Sequence, residues 1–165
     1  MSSGAQESPR GLDAEELRCW QAFLHVTLPM DAALNAQLRR DAGIGHFEYG
    51  MMSALSKAPD RTLRMSTLAE HAEGSLPRLS QVASRLEDKG WVRRSPDPSD
   101  GRFTLASLTD AGLAKVEEAA PGHVREVRRM LFDTLTKSQV RQLANICERI
   151  ARANSSSRRD DLDQG

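Results

Sequence analysis

One segment of the chain combines apolar and polar residues in the way that a DNA-reading helix requires. Residues 76–89 place apolar side chains at helical spacing, at Leu79, Val82, Ala83 and Leu86. The polar residues left for the other side of this helix or its margins, with the serine that precedes it, are Ser75, Arg78, Ser80, Gln81, Ser84 and Arg85. Arginine, serine and glutamine side chains bind base edges in the major groove or grip phosphates, and a helix N-terminus favours phosphate. We therefore predict that these residues contact double-stranded DNA. The alternative is an ordinary solvated helix face.

The apolar pattern changes to a period of two after Gly90, which predicts a β-hairpin. Strands are expected at 91–95 and 102–108, joined by a long, polar, turn-rich tip over 96–101. The hairpin adds four candidate DNA-binding residues, which are Arg93, Arg94, Asp100 and Arg102. An arginine at a loop tip can enter a narrow minor groove, where the negative potential is enhanced, and Asp100 can brace it by a charge-assisted hydrogen bond.

The remaining segments predict helices that position these residues. A first helix is expected over 13–40, kinked or split at Pro29, and a second over 46–57. The other predicted elements are a short strand at 62–65, a third helix capped by Ser66, a fifth helix capped by Thr109 and bent at Pro121, and a sixth opening at Thr136. A short helix, a turn and a second helix followed by a hairpin make a winged helix-turn-helix. The predicted fold class is therefore mainly α with a small β-wing.

The order of these elements also predicts the domain organisation. Residues 1–12 and 154–165 are polar and are expected to be disordered tails, with a single unit over 13–153 between them. Within that unit, 44–108 is the expected winged-helix region, and 13–43 and 109–153 are the expected dimerisation helices. The first helix carries two apolar stripes, and an exposed apolar surface of that size usually marks an interface. We therefore expect a homodimer.

Composition and motif content argue against several other classes of protein. The 23 basic and 23 acidic residues give no net charge, so the basic signal is local to the segment 75–102. No stretch approaches the roughly 20 apolar residues that span a bilayer. No Gly-rich phosphate loop, nucleophile elbow or metal-binding helix motif is present, and the four histidines are scattered. We therefore expect a cytoplasmic protein that is not an enzyme, with no cofactor, no bound metal and no membrane partner.

The segment that carries the DNA-binding candidates resembles a known family. It reads Ser75-Leu-Pro-Arg-Leu-Ser-Gln-Val-Ala-Ser-Arg-Leu-Glu-Asp-Lys-Gly-Trp-Val92, then Arg93-Arg94, Asp97-Pro98, Asp100-Gly-Arg102 and Leu108-Thr-Asp-Ala-Gly112. This run is similar to the multiple antibiotic resistance regulator (MarR) family, and the resemblance covers roughly residues 13–153. It implies a homodimer that binds a pseudo-palindromic operator, with a recognition helix in the major groove and a wing arginine in the minor groove. It also implies repression that a small phenolic or lipophilic effector relieves.

Two further hypotheses concern what switches such a regulator. Trp20, His25, His46 and Tyr49, with Phe47, fall on the first two helices, where relatives in the family hold their ligands; the alternative is core packing. Some members sense peroxides through a cysteine in the first helix, and Cys19, with Cys147, is loosely placed for that role. The tyrosines that usually activate such a cysteine are missing, and a free cysteine on an apolar stripe is more often a packing residue. The alternatives that stay open are a thiol-based redox-sensing regulator of the same fold and a winged-helix docking module that binds protein.

Overall fold

The computed structural model describes residues 11–71 and 76–162 of the chain. Its helices are α1 (Ala14–Ala42), α2 (His46–Lys57), α3 (Met65–His71), α4 (Leu76–Asp88), α5 (Asp110–Val127) and α6 (Lys137–Leu162). Its strands are β1 (Thr62–Arg64), β2 (Val92–Asp97) and β3 (Asp100–Leu108). Short helical turns precede β1 (Pro59–Arg61) and follow α5 (Arg128–Phe132, a π-helical turn). Internal contacts divide the chain into two compact units, residues 1–120 and 121–165, where the sequence analysis expected one unit over 13–153.

Helix α1 begins at a capping box. The Asp13 carboxylate accepts hydrogen bonds from the backbone N–H groups of Glu15 and Glu16, both at 2.9 Å, and the Glu16 carboxylate accepts from the Asp13 N–H at 2.8 Å. The helix ends at Gly43, whose φ of 67° lies in the left-handed region that glycine tolerates. The predicted split at Pro29 is wrong, because the helix continues through it. Proline in a helix loses its own N–H donor and crowds the carbonyl four residues earlier, but its fixed φ is compatible with a helix, so a long helix can continue through it.

The core of the first unit collects side chains from every helix between α1 and α5. Its fully buried members include Leu38, Ile44, Met51, Met52, Leu55, Leu68, Leu79 and Leu86. Leu38 and Ala42 come from the last turns of α1, and Val116 and Ala119 come from the first turns of α5. The buried core therefore extends on both sides of the region 44–108 that the sequence analysis assigned to the winged helix.

The three strands form one antiparallel sheet in the order β1-β3-β2. Thr62 pairs with Ser107, and Val92 pairs with Leu108. Strands β2 and β3 extend to Asp97 and Asp100, so the predicted long tip over 96–101 is wrong and only residues 98–99 form the turn. The Asp97 carboxylate closes that turn, because its Oδ1 accepts hydrogen bonds from the Ser99 N–H at 2.8 Å and the Ser99 hydroxyl at 2.6 Å.

The start of α5 is docked on the chain that leaves α4. The Thr109 N–H donates to the Trp91 carbonyl at 3.0 Å, and the Thr109 hydroxyl donates to the Gly90 carbonyl at 2.7 Å. The same hydroxyl accepts from the Gly112 N–H at 3.0 Å, which caps α5 as the sequence predicts. The Trp91 ring lies 4.8 Å from the Lys89 Nζ and 5.7 Å from the Lys115 Nζ. These contacts join the end of α4, the base of the hairpin and α5.

The first half of α1 is exposed despite its apolar side chains. Leu17, Trp20, Phe23, Val26 and Leu28 are each between 45% and 70% exposed. Buried side chains in this helix begin only at Leu34. The first half of α1 therefore presents an apolar surface that no other described residue covers.

In the second unit, α6 begins where the sequence predicts. The Gln139 side chain accepts from the Thr136 N–H at 2.9 Å, and the Gln139 N–H donates to the Thr136 hydroxyl at 3.3 Å, which is a capping box. The backbone of residues 154–162 is helical and continues α6, whereas the sequence analysis expected a tail from residue 154 onward. The apolar pattern ends near Ile150, but no glycine or proline lies between Ile150 and Leu162, so the helix meets no stop signal even though residues 154–157 are only moderate helix formers. Residues 1–10 and 163–165 of the predicted tails lie outside the described residues.

Candidate nucleic-acid interface

Helix α4 separates a buried apolar side from an exposed polar side. Leu79, Val82, Ala83 and Leu86 are at most 4% exposed, because their spacing of three and four residues turns them all toward the core. Of the predicted DNA-binding residues on this helix, Arg78, Ser80, Gln81 and Arg85 are exposed and Ser84 is half-buried. Ser75 lies outside the described residues. The structure therefore brings five of the six helix candidates together on the solvent side of α4.

The N-terminal turns of α2 support the two arginines of this surface. The Arg78 guanidinium lies over the Phe47 ring, 4.4 Å from its centroid. The Arg85 Nε lies 3.7 Å from the Glu48 Oε1. A guanidinium that stacks on an aromatic face keeps its N–H donors in its own plane, where they remain available to a partner. The α4 surface therefore presents oriented donors.

The wing carries one strongly exposed arginine that is held by its neighbour. The Arg102 guanidinium donates to the Asp100 carboxylate, with Nη2 at 2.6 Å from Oδ2 and Nε at 3.0 Å from Oδ1, and the Arg102 side chain is 85% exposed. Hydrogen bonds from Arg102 hold the pKa of Asp100 below its usual value. The contact that the sequence suggested is present, and it restricts the Arg102 side chain before any partner binds.

Arg64 is a wing residue that the sequence analysis missed. Its Nε donates to the Asp97 Oδ2 at 2.8 Å, and its guanidinium lies over the Phe103 ring at 4.4 Å. The hydrogen bonds from Ser99, with a smaller contribution from Arg64, lower the pKa of Asp97 to about 2. Arg64 is distant from the hairpin in sequence and reaches it only because β1 pairs with β3, so no local pattern would have found it.

The two arginines at the hairpin base have different surroundings. Arg93 is exposed. The Arg94 N–H donates to the Glu87 Oε1 at 2.9 Å, and the Arg94 Nη2 lies 2.8 Å from the Glu87 Oε2, with the Arg94 side chain 28% exposed. The backbone hydrogen bond from Arg94, followed by that from its side chain, lowers the pKa of Glu87. Arg94 therefore ties β2 to α4, a structural role that the sequence analysis did not assign to it.

The effector candidates lie at different places in the first unit. Trp20 and His25 are on the exposed first half of α1, where the Trp20 ring stacks on Phe23 at 6.3 Å between centroids. The His46 Nδ1 lies 2.7 Å from the Asp31 Oδ1 and joins α2 to α1. Tyr49 is buried, and burial raises the pKa of its phenol. Core packing therefore describes Tyr49 and does not describe Trp20 or His25.

The thiols of Cys19 and Cys147 are free and exposed. Packing within the described chain therefore does not account for either of them. Residues 11–71 and 76–162 hold no group of three or more His, Cys, Asp or Glu side chains arranged to bind a metal ion. In the same part of the chain, no helix has the length and apolar character needed to cross a membrane.

Comparison with known proteins identifies the family. The sequence model of the MarR family matches residues 52–104. The chain is 32% identical over 88 residues to the repressor IacR of Pseudomonas putida, a match that spans 51% of this chain and only half of IacR. It is 38% identical over 139 residues to the HTH-type transcriptional regulator YdcH of Bacillus subtilis, which covers 83% of this chain and 86% of YdcH.

A solved structure extends that agreement to the fold. Sco3205, a MarR family transcriptional regulator from Streptomyces coelicolor solved in complex with DNA, superposes with a TM-score of 0.84 at 41% identity. The match covers 89% of this chain and 92% of Sco3205. The mainly helical fold with a small winged hairpin, predicted from the sequence, is confirmed. The chain belongs to the MarR family of transcriptional regulators.

Proposed function

We propose that the protein is a homodimeric repressor that binds a two-fold-symmetric DNA operator and releases it when a small lipophilic or phenolic effector binds. The observation that carries this proposal is the exposed polar face of α4 beside a wing that presents Arg102. The relative solved with DNA, Sco3205, supports it at 41% identity over most of both chains. The relatives of this chain are transcriptional regulators. We therefore infer that the protein binds DNA in the cytoplasm and has no enzymatic activity.

In this proposal α4 lies in the major groove and the wing reaches the minor groove. Arg78 and Gln81 offer N–H donors to base edges, while Ser80, Ser84 and Arg85 reach bases or flanking phosphates. Arg102 enters the minor groove, where a guanidinium is favoured by the enhanced negative potential. Asp100 holds that guanidinium in place beforehand, which lowers the entropy cost of ordering it on DNA. In this proposal the exposed Arg93 contacts the DNA backbone, and Arg94 supports the wing through its ion pair with Glu87.

The exposed apolar side chains support the homodimer. The five large apolar residues of α1 named above are between 45% and 70% exposed, and Ile146 and Ile150 of α6 are also exposed. Apolar patches of this kind on a folded chain usually mark an interface. A two-fold dimer carries two copies of α4, and these would meet half-sites about one turn of DNA apart.

The effector site and the redox alternative remain hypotheses. We propose the surroundings of Trp20, His25, His46 and Tyr49 as the place to look for an effector. Cys19 is exposed, as a reactive thiol must be, so a thiol-sensing regulator of the same fold is the second candidate. Oxidation of the protein–DNA complex by hydrogen peroxide tests it. Release that Cys19→Ser abolishes would support thiol sensing, and release that persists in that variant would refute it.

The proposed function is tested by selecting bound fragments from random DNA and titrating the selected site at several salt concentrations. We expect a two-fold motif, with affinity that falls steeply as salt rises because phosphate contacts release counterions. Arg102→Ala should weaken binding about tenfold or more, since a charge-assisted hydrogen bond contributes about 1.5–3 kcal/mol. The dimer, measured by analytical ultracentrifugation, should stay intact.

Arg129→Ala is a matched control for Arg102→Ala. Arg129 is also an exposed arginine held by a nearby carboxylate, with Nη2 at 2.6 Å from the Glu126 Oε1. It lies outside α4 and the wing, so operator affinity should not change. If a well-folded dimer enriches no motif, the DNA-binding proposal fails and the docking-module alternative replaces it. If Arg102→Ala binds like Arg129→Ala, the role of the wing is refuted.

A further inference from the structure

A cationic cavity lies where the last turn of α1, the first turn of α2 and the face of α4 meet. Its volume is about 260 Å³. The charged, aromatic and glutamine side chains that line it are Arg39, Phe47, Glu48, Arg78, Gln81 and Arg85. Three of them belong to the α4 surface described above, so the cavity adjoins the proposed DNA-binding face. Arg39 comes from α1, a helix to which neither the sequence analysis nor the proposed function gives any contact with DNA.

The charge of this cavity is unbalanced. Three guanidinium groups line it against one carboxylate, that of Glu48. The Glu48 Oε2 already accepts the Gly45 N–H at 2.8 Å, and the Glu48 side chain is only 12% exposed. Within residues 11–71 and 76–162, the side chains of Arg39 and Gln81 form no hydrogen bond or ion pair. The cavity therefore keeps an excess of positive charge and a set of free N–H donors.

The Arg39 side chain lies close to the buried glycine that precedes α2. A Cβ built on Gly45 would lie 3.4 Å from the Arg39 Nη2, which is an ordinary van der Waals contact, and 3.3 Å from the Asn35 Oδ1, which is tighter than nine in ten such contacts. The Arg39 guanidinium therefore lies near the start of α2, at the same cavity as the α4 arginines.

We propose that this cavity holds one phosphate group of the DNA backbone, with Arg39 as its principal ligand. The inference rests on the proposed function. A phosphate diester brings one negative charge and acceptor oxygens that match the paired N–H groups of a guanidinium. Arg78 and Arg85 extend from the same cavity onto the α4 face, so a phosphate here would flank the bases that α4 reads. A contact of this kind fixes the register of the protein on DNA without reading sequence.

The test compares Arg39→Ala with Arg40→Ala on the full-length protein and its selected operator. Arg40 is a matched control, because it also lies in the last turn of α1 but is paired with Asp41 at 3.1 Å and does not line the cavity. For Arg39→Ala we expect the slope of log affinity against log salt to become shallower by about 1.8, because the dimer carries Arg39 twice and each phosphate contact accounts for about 0.9. The selected motif should stay the same, and Arg40→Ala should keep the wild-type slope. Arg39→Lys should keep the slope and lose affinity, because it retains the charge without the paired donors.

Single methylphosphonate substitutions along the operator backbone then locate the phosphate. At one position in each half-site, a neutral methylphosphonate should weaken the wild type and leave Arg39→Ala unaffected. The inference is overturned if a methylphosphonate at every position lowers the operator affinity of Arg39→Ala as much as that of the wild type. It is also overturned if Arg39→Ala and Arg40→Ala show the same slope of log affinity against log salt. If the wild type selects no operator at all, the proposed function has failed instead.

Inorganic phosphate, compared with chloride at equal ionic strength, tests free phosphate as the other source of the same chemistry. A backbone phosphate predicts that a methylphosphonate position distinguishes the wild type from Arg39→Ala, whether or not inorganic phosphate competes more strongly than chloride. If inorganic phosphate displaces the wild type but not Arg39→Ala, and no methylphosphonate position distinguishes the two proteins, the cavity is a site for a free anion. That result would overturn the assignment to DNA.

Discussion

Replacing Gly112 with alanine should destabilise the protein, although the glycine lies in a helix. A Cβ at this position would overlap the Trp91 carbonyl oxygen and lie 2.7 Å from the Leu108 Cδ1. The Leu108 side chain can rotate away, but the carbonyl is fixed by the hydrogen bond that it accepts from the Thr109 N–H at 3.0 Å. The Thr109 hydroxyl, whose proton is shared between the Gly90 and Trp91 carbonyls, lies 3.1 Å from it. The overlap is therefore relieved only by moving α5 away from the base of the hairpin.

The expected magnitude follows from three opposing contributions. Alanine is favoured over glycine in a helix by up to about 1 kcal/mol. Overpacking costs typically about 1–3 kcal/mol, and the upper end applies to Gly112→Ala because the clash is with backbone. Weakening the hydrogen bonds to Trp91 costs about 1 kcal/mol more. We expect a net loss of about 3 kcal/mol in the free energy of unfolding.

The assay is urea unfolding followed by circular dichroism, at one protein concentration because the stability of a dimer depends on concentration. Gly50→Ala is the matched control, since Gly50 is an exposed helical glycine of α2 with no atom within 4 Å of the added Cβ. It should leave stability unchanged or raise it by up to about 1 kcal/mol. A Gly112→Ala protein as stable as the wild type would refute the account of how α5 docks on Trp91.

Three further outcomes are expected. The pKa of Asp97 is lowered from 3.8 to about 2, so its charge stabilises the fold fully above about pH 4 and ceases to do so as the pH falls toward 2; thermal melts should show a smaller loss over this range for Asp97→Asn than for the wild type. Arg64→Ala removes the stacking on Phe103 and the bond to Asp97, and hydrogen exchange at the wing turn should become faster, whereas unchanged exchange would contradict the bracing role. Arg78→Ala should relax sequence preference at one base pair of each half-site, worth about 1–3 kcal/mol, and fragment selection that recovers the wild-type motif at every position would refute a base contact.

The elements defined by local signals were predictable from the sequence. Asp13 with Glu16 marks the start of α1, and Thr136 with Gln139 marks the start of α6, because a capping box is complete within four residues. The spacing from Leu79 to Leu86 fixes which side of α4 is buried, and hence which polar residues remain exposed. The α4 part of the candidate site follows from that spacing alone.

The features that depend on distant residues were not predictable in this way. The hairpin tip is short because Asp97 uses its side chain to close the turn and because Arg64, on another strand, holds that carboxylate. Arg94 was predicted to contact DNA, whereas its ion pair with Glu87 of α4 was not predicted. Arg39 lines a cavity only because the end of α1 meets α2 and α4. The spacing of apolar residues in the sequence does not predict that meeting. Each of these contacts joins residues from different elements, so it exists only once the chain has folded.

The positions of the two tryptophans have an optical consequence. Trp20 is half exposed on the apolar face of α1, whereas Trp91 is packed at the base of the hairpin with two lysine ammonium groups near its ring. Burial of the Trp20 indole by a second subunit would shift its fluorescence to shorter wavelength, while Trp91 would change its emission chiefly when the first unit unfolds. A Trp20→Phe variant separates the two signals. The chain thus contains built-in fluorophores that would report subunit association and unfolding independently, without an attached dye.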